Sequence, residues 1–408
     1  MSLLFIVVDS LRADVLGCCD GTARTPCVDR LAASGALFPR VVSAAPWTVP
    51  SVATMLTGVY PHRLGLAKWE QPWPAEHPSL FDLGARAGLE VASFVFEPRY
   101  FLRAVPAAGV AGSSQHTERV LGWLRERRDR PFFAFVHYWW THIPYVARAT
   151  TVPAWRKLTD VVLDAIRAGG PAREGVKALY RHAVERFSED WMPRVLDTVD
   201  LDRTWIVLVA DHGESWGERR GAAAVHDVFD LHGNDLFEES LRVPLVVRPP
   251  GGCTARRVGG LARTADILPT LAELLGLGPP PPDIDGTSLA GCVRDGRDAP
   301  AADAFSVRNR DFLQAPSLPR DARDLWCAFA LTTPRHKLVW ERSESSRHVY
   351  DLASDPMETT NLSEAHHPNI DAAWKRLEAE AERAVVGPVG GDDLARTTER
   401  LRALGYLE

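Results

Sequence analysis

The feature of this sequence that most restricts its fold is a set of short apolar runs, each of strand length, separated by segments with helical patterning. These runs are Leu3–Val8, Val91–Phe96, Phe132–His137, Trp205–Ala210 and Val243–Val247. Continuous apolar runs of this length are typical of parallel strands that are buried on both faces. Their alternation with helices predicts an α/β domain, in which helices sandwich a large, mostly parallel sheet.

A change in composition follows the last of these runs. Four consecutive prolines, Pro279–Pro282, predict a stiff linker, and the mixed stretch Arg294–Ala304 comes after it. The segments beyond it predict two alternating strands, a third short strand and a charged amphipathic helix, at Cys327–Thr332, His336–Glu341, His348–Tyr350 and Asn369–Val385 respectively. We therefore expect a large domain over residues 1–320 and a small C-terminal α+β subdomain over residues 321–408.

The composition restricts the partners of the chain. A length of 408 residues with 46% hydrophobic content supports a sizeable core, and the six cysteines form no C-x-x-C pair. With 53 acidic and 47 basic residues and no basic tract, the chain is not expected to bind nucleic acid. The run Leu3–Val8 is too short to span a bilayer and has no signal-peptide features, so we expect no membrane association and a cytoplasmic location. The oligomeric state is left open.

Two of the apolar runs end directly at residues that bind cations. Asp9 follows the first run, and the tandem pair Asp211 and His212 follows the run Trp205–Ala210. The carboxyl ends of strands in open parallel sheets face the ligand crevice, so these side chains are candidates for a metal site. The alternatives are that Asp9 is a turn or helix-cap residue and that Asp211 and His212 form a structural ion pair.

Thr48 lies just ahead of a helix that Pro50 helps to start. The free N–H groups and positive field of a helix N-terminus can hold an anionic ester, which makes the Thr48 hydroxyl a candidate nucleophile. The other interpretation is that Thr48 is an ordinary N-cap, because threonine shortly before a proline is a common helix start.

Histidines form a further group of candidates. His137 and His142 follow an apolar run, and His226 and His232 precede a glycine. Histidines near a metal can bind the oxygens of an oxyanion or protonate a leaving group, although any one of them could be structural. His62 is a weaker candidate of the same kind.

Eight segments of the chain occur in the order found in one protein family. They are VVDSLRADVLGC, TPCVDRLAASGALF, TVPSVATMLTGVYPHRLG, HYWWTHIPY, DHGESWGE, HGNDLFEESLRVPLVVRPPG, ADILPTLAELLG and YDLASDPMETTNL. Through them the chain resembles the sulfatase family of the alkaline-phosphatase superfamily, from Ser2 to about Leu362. The resemblance implies an alkaline-phosphatase-like fold.

The resemblance also implies a site with one divalent metal ion. Its ligands would be Asp9, Asp211 and His212, completed by Thr48, which stands where the family keeps its nucleophile. A mixed set of oxygen and nitrogen ligands favours Zn or Mn over Ca or Mg.

The nucleophile motif departs from the sulfatase pattern. Sulfatases begin a C-x-P-S-R or S-x-P-S-R motif with a residue that is oxidised to formylglycine, whereas this chain has threonine at position 48 and Val52 in place of the arginine. Threonine cannot form formylglycine by that route. Ser10 and His212 also stand where many sulfatases have aspartate and asparagine. A threonine nucleophile is similar to that of phosphodiesterase, phosphonate-hydrolase and phosphoethanolamine-transferase relatives.

These observations lead to one main hypothesis. The chain is expected to be a metal-dependent hydrolase of phosphate or phosphonate mono- or diesters, with a small-molecule substrate and a covalent intermediate on Thr48. His142 or His232 would protonate the departing alcohol. A lipid-envelope transferase is disfavoured because the chain shows no membrane span.

Two alternatives remain open at this point. One is a sulfatase that lacks formylglycine, and the other is a non-catalytic, anion-binding protein on the same scaffold. The substrate would be selected by variable loops, for which Trp69–Trp73, Phe96–Phe101 and Trp139–Tyr145 are the candidates.

Overall fold

The structure is a computed structural model that describes residues 1–66, 77–95, 110–112, 117–146, 152–218, 231–309, 325–342, 344–363 and 368–385. Its strands are β1 Ser2–Val8, β2 Ala36–Val42, β3 Glu90–Phe94, β4 Val110–Gly112, β5 Phe132–Tyr138, β6 Thr204–Ala210, β7 Arg242–Arg248, β8 Arg256–Arg257, β9 Ala262–Arg263, β10 Ala304–Asn309, β11 Trp326–Thr332, β12 His336–Glu341 and β13 Ser346–Asp351. Its helices are Pro26–Ala33, Thr48–Thr57, Pro61–Leu64, Leu80–Arg86, Thr117–Glu126, Val152–Ala168, Gly170–Arg186, Met192–Leu196, Glu238–Leu241, Ile267–Leu275, Ala290–Asp295 and Pro368–Ala381. Within the described ranges the strands form two sheets.

The large sheet has the strand order β4-β3-β5-β1-β6-β7-β2-β8, and β9 also pairs with β2. The neighbouring strands β4, β3, β5, β1 and β6 run parallel to one another, while β7 is antiparallel to both β6 and β2. This confirms the predicted mostly parallel sheet. The direction of β7 could not be read from its apolar run, because a strand that is buried on both faces has the same composition in either direction.

The core lies on the central strands of this sheet. Every residue of β1, β5 and β6 is buried. The rings of Phe5, Phe81 and Phe133 pack there with Phe135, which contacts Phe5 edge-on at 5.5 Å between centroids. Because β1 lies between two parallel neighbours, the carboxyl ends of all three strands meet at one edge of the sheet, and the residues that follow these strands come together there.

The small sheet is antiparallel, with the order β10-β11-β12-β13, and the helix Pro368–Ala381 packs on it. Trp374 and Leu377 of that helix share a hydrophobic cluster with Trp326 and Phe329. The predicted small α+β unit is therefore confirmed. Its first strand, β10, lies before the expected boundary at residue 321 and was not expected from the sequence. The boundary itself stays a prediction.

Buried polar contacts join the part of the chain that carries the large sheet to the small C-terminal unit. Ser306 Oγ of β10 donates to the carbonyl oxygen of Ser43 at 2.6 Å. His62 Nε2 lies 2.9 Å from Glu380 Oε1 on the C-terminal helix. Lys337 of β12 is fully buried and forms ion pairs with Glu238 at 2.7 Å and with Glu358 at 2.8 Å. We call the region around His62 and Glu380 the seam.

No helix in the described part of the chain combines the length and apolar character that crossing a membrane requires.

Candidate active site

The carboxyl ends of β1, β5 and β6 bring three ionisable side chains together. The Nε2 atom of His137 lies 3.3 Å from Asp9 Oδ2 and 3.6 Å from Asp211 Oδ2. One potential ligand atom from each of these residues lies within 4.8 Å of the other two, and all three residues are buried. This arrangement follows from strand register, since Val7 in β1 pairs with His137 in β5.

His212 and Thr48 border the same cluster. His212 Nε2 lies 3.5 Å from Asp211 Oδ2, 3.8 Å from Asp9 Oδ1 and 3.3 Å from the Thr48 hydroxyl oxygen. Its other nitrogen, Nδ1, lies 2.8 Å from the carbonyl oxygen of Gly213 and can only donate to it. Nε2 of the neutral ring is therefore an acceptor that faces the carboxylates and the hydroxyl.

The chemistry of this donor set fits a divalent cation. Asp211 Oδ2 is buried and accepts no hydrogen bond from any residue that the structure describes. Burial would lower the pKa of His137, but its contacts with the carboxylates of Asp211 and Asp9 raise it to about 9, so this point of the site attracts positive charge. Burial would likewise raise the pKa of Asp9, yet the surrounding histidines hold that pKa well below its usual range. Two carboxyl groups beside an imidazole nitrogen suit Zn or Mn.

Thr48 is the first residue of its helix and does not cap it. The N-cap residue is Trp47, and neither it nor Thr48 forms a side-chain capping bond. Thr48 is buried and its hydroxyl faces His212 instead. The interpretation of Thr48 as an ordinary N-cap is therefore wrong.

Two serines hold the helix Thr48–Thr57 against the loop that contains Asp211 and His212. Ser51 Oγ, on the Thr48 helix, donates to the carbonyl oxygen of Asp211 at 2.5 Å. Ser43 Oγ lies 2.6 Å from the same oxygen and 2.9 Å from Ser51 Oγ. The spacing of Thr48 and Ser51 within one turn therefore fixes the hydroxyl of Thr48 relative to Asp211.

The turn after β1 is strained, and a tyrosine holds it. Ser10 has a φ of 55°, which is unusual for a residue with a side chain. Its N–H donates to Asp211 Oδ1 at 3.1 Å, and its hydroxyl donates to Asp9 Oδ1 at 2.8 Å. The Tyr180 hydroxyl donates to the Ser10 carbonyl at 2.7 Å and accepts the Arg12 N–H at 2.9 Å. Ser10 thus positions both carboxylates, although it stands where many sulfatases have aspartate.

His142 and His232 lie side by side next to this cluster. Their ring centroids are 4.8 Å apart, and the His232 ring stacks on His212 at 5.0 Å. His142 Nδ1 lies 2.7 Å from the Ile143 carbonyl oxygen, and His232 Nδ1 lies 2.9 Å from Glu214 Oε1. Burial lowers the pKa of His142 to about 4, and burial together with His212 lowers that of His232 to about 3. Both rings are therefore neutral near pH 7, and in His142, whose partner is a carbonyl that can only accept, Nε2 is the acceptor.

The structure assembles most of the residues that the sequence singled out. Asp9, Thr48, Asp211, His212, His142 and His232 all lie in this one region. His62 does not, because it is buried at the seam against Glu380. His226 lies outside the described residues, as do the loops Trp69–Trp73 and Phe96–Phe101.

Of the three candidate loops, Trp139–Tyr145 is described. The Trp139 ring stacks on His142 at 4.9 Å and near Trp155 at 6.0 Å, and only 7% of its surface is exposed. This ring supports the histidine and does not offer a free face for stacking on a substrate.

Sequence reasoning missed several residues that shape the site. His137 was grouped with the histidines but not counted as a ligand, Tyr145 was named only as part of a candidate substrate loop, and Glu214 and Tyr180 were given no role. The position of His137 at the end of an apolar run that pairs with the Asp9 strand could have identified it. The two tyrosines contact residues that are more than 60 positions away in sequence, and a single amino-acid sequence contains no information on such pairings.

Comparison with known families agrees with this geometry. The family model described as Sulfatase matches residues 2–96 and 112–277. A second model, described as N-sulphoglucosamine sulphohydrolase, C-terminal, matches residues 225–384. Together they cover the large sheet and most of the small unit.

The individual relatives include proteins named as sulfatases and proteins named for phosphatase or phosphonate-hydrolase activity. An ulvan-active sulfatase of Formosa agariphila is 22% identical over 464 residues, covering 100% of this chain and 84% of that protein. A multifunctional alkaline phosphatase superfamily protein of Trinickia caryophylli is 26% identical over 298 residues, covering 62% and 55%. The phosphonate monoester hydrolase of Agrobacterium radiobacter superposes with a TM-score of 0.71 at 22% identity, covering 94% of this chain and 96% of that one. These likenesses confirm the alkaline-phosphatase-like fold.

Proposed function

Because the chain belongs to the sulfatase family, we propose that it is a metal-dependent hydrolase of phosphate or phosphonate mono- or diesters, with Thr48 as its nucleophile. The family and its neighbours support hydrolysis of an ester. The choice of a phosphorus ester depends on the nucleophile, since a threonine cannot become formylglycine.

One observation carries this proposal. The Thr48 hydroxyl oxygen lies 3.3 Å from His212 Nε2, beside the carboxylates of Asp9 and Asp211, at the start of the helix Thr48–Thr57. A hydroxyl here combines two properties that a nucleophile needs: surroundings that attract positive charge, and helix N–H groups for the ester oxygens.

Asp9, Asp211 and His212 would hold the cation, with Thr48 beside them. His137, whose Nε2 lies 3.3 Å from Asp9 Oδ2, would offer a further ligand atom. When bound there, a divalent cation supplies Lewis acidity, which lowers the pKa of a hydroxyl and draws charge from a phosphoryl oxygen.

The chain's own residues would carry the remaining chemistry. Thr48 Oγ releases its proton to water and forms a bond to phosphorus while the bond from phosphorus to the alcohol oxygen breaks. His142 or His232 delivers a proton to that oxygen. Water then hydrolyses the phosphothreonine and restores the Thr48 hydroxyl. Because both histidines have lowered pKa values, the charge of a bound anionic ester is what would raise their proton affinity.

A second candidate function is hydrolysis of a sulfate ester without formylglycine. It is favoured by the ulvan-active sulfatase, which aligns with the whole of this chain. The residue at position 52 argues against hydrolysis of a sulfate ester. Val52 is fully buried in the hydrophobic core, where the arginine of the sulfatase motif would have to stand.

A paired assay separates these candidates. The purified protein would be stripped with a chelator, reloaded with Zn or Mn, and given p-nitrophenyl sulfate, p-nitrophenyl phosphate, bis-p-nitrophenyl phosphate and a p-nitrophenyl phosphonate. We expect metal-dependent turnover with a preference for a phosphorus ester. A preference for the sulfate would reject our proposal in favour of the second function, and binding of an anion without any turnover would indicate a non-catalytic protein.

A further inference from the structure

We propose that Glu214 is a positioning residue, which orients His232 and fixes its tautomer so that Nε2 of that ring faces the ester. This inference rests on the proposed function, because it concerns how one of its two proton-transfer histidines is held. Glu214 lies two residues beyond His212 in sequence, and its side chain contacts His232.

The geometry shows a chain of contacts that ends on His232. Glu214 Oε1 lies 2.9 Å from His232 Nδ1, and the Tyr145 hydroxyl donates to Glu214 Oε2 at 3.0 Å. The indole N–H of Trp216 donates to the Tyr145 oxygen at 3.1 Å. Each carboxylate oxygen of Glu214 therefore has one defined partner.

The backbone of Glu214 is held as firmly as its side chain. Its N–H donates to the Glu239 carbonyl at 3.0 Å, and its own carbonyl accepts from Arg12 Nη1 at 3.0 Å. Glu214 is fully buried and His232 is 6% exposed. Because the carboxyl group cannot swing away, the imidazole that it contacts has one preferred orientation.

The two histidines of the site are held differently. His142 is backed by the neutral carbonyl of Ile143 at 2.7 Å, whereas His232 is backed by a carboxyl group at 2.9 Å. A carboxyl group hydrogen-bonded to Nδ1 orients the ring, and in its ionised form it accepts from Nδ1–H and stabilises the imidazolium that forms when Nε2 takes a proton. This difference assigns His232 as the ring that exchanges a proton with the leaving group, and Glu214 as its support.

Glu214→Gln is the sharpest test, because it changes the group without changing its size. Tyr145 OH already accepts from Trp216 and donates to Glu214 Oε2. A glutamine amide must present its NH₂ either to Tyr145, whose O–H then loses its acceptor, or to His232, whose Nδ1–H then loses its acceptor. We expect kcat to fall about 10–100-fold, the usual range for a residue that orients a functional imidazole. Tyr145→Phe, which removes the donor to Oε2, should give a smaller loss of the same kind.

The chain offers a matched control in its second buried histidine–glutamate pair. Glu380→Gln makes the same change at the same distance, 2.9 Å from His62 Nε2, but at the seam. Wild type, Glu214→Gln, His232→Ala, the double variant and Glu380→Gln would be compared on the best phosphorus ester as its p-nitrophenyl and its phenyl form. Metal content and Tm would be measured for each variant.

The expected result has two parts. The loss in Glu214→Gln should be larger for the phenyl ester, because the poorer leaving group needs the proton more, and the double variant should be no slower than His232→Ala alone. Glu380→Gln should keep kcat. Additive losses, or equal losses on both leaving groups, would overturn the inference, and so would a loss fully explained by reduced metal content. Failure of the proposed function would appear elsewhere, as a Thr48→Val variant that remains active.

Discussion

Two buried histidine–glutamate pairs in this molecule have the same separation and different surroundings. His232 Nδ1 lies 2.9 Å from Glu214, and His62 Nε2 lies 2.9 Å from Glu380. The first pair uses Nδ1 of a ring that packs against the rings of His142 and His212. The second pair uses Nε2, in a ring enclosed by Tyr60, Phe329 and Trp326. A distance alone therefore does not distinguish a functional pair from a structural one.

The two carboxyl groups also differ in their electrostatic environment. Burial raises the pKa of Glu214 to about 8, and its neighbours do not compensate for that burial. Burial would raise the pKa of Glu380 as well, but His62 and Arg383, which lies 2.8 Å away, lower it. Glu380 is thus a stable carboxylate in an ion pair, as expected where the pair joins two parts of a fold. Perturbed groups in a cleft are typical of functional sites.

The largest difference between the two regions should appear when a carboxylate is removed from each. We expect Asp211→Ala to lose its bound metal and about a thousandfold or more of its activity. The substitution removes a proposed metal ligand and, with it, the carboxylate oxygen that accepts the Ser10 N–H. Glu380→Ala should keep the metal. Elemental analysis after gel filtration checks this expectation, and a full metal complement in Asp211→Ala would contradict the ligand assignment.

The histidines should separate activity from stability. His232→Ala is expected to lower kcat about 10²- to 10⁴-fold with little change in Tm, since proton transfer contributes that much. His62→Ala should keep kcat and lower Tm by several degrees, because it removes a buried ring and leaves Glu380 without that partner. Rates and melting curves on the same preparations decide the point. A lower kcat for His62→Ala than for His232→Ala would contradict the assignment of His232 to the site and of His62 to the seam.

The smallest expected effect is a pH dependence of stability at the seam. The folded pKa of Glu380 is lowered, so its ion pair contributes stability that is fully present above the unfolded pKa and is lost as the pH falls through the folded pKa. Glu380→Gln should therefore melt a few degrees below wild type at pH 7, and this gap should close as the pH falls below about 4. A gap that stays constant from pH 7 to pH 3 would show that Glu380 is not ionised in the folded protein.

Much of this architecture could be predicted because its signals are local. The apolar runs predicted β1, β5 and β6, and the residues that follow them supplied Asp9, Asp211 and His212. The direction of β7 and the strand β10 could not be predicted, since burial on both faces hides direction and β10 has neither a continuous apolar run nor a regular alternation. His137 and Glu214 were missed because their roles depend on which strands are neighbours and on Tyr145, facts that only the folded chain contains.

The central claim is that the hydroxyl of Thr48 is the nucleophile, and Thr48→Val tests it most directly because valine keeps the shape and removes only the hydroxyl. The measurement is kcat/KM on a phosphorus ester for Thr48→Val and Thr48→Ser at equal metal content. We expect Thr48→Val to lose about 10³-fold or more, while Thr48→Ser, which keeps a hydroxyl, stays within about tenfold of wild type. A Thr48→Val protein with most of its activity would contradict a covalent threonine mechanism.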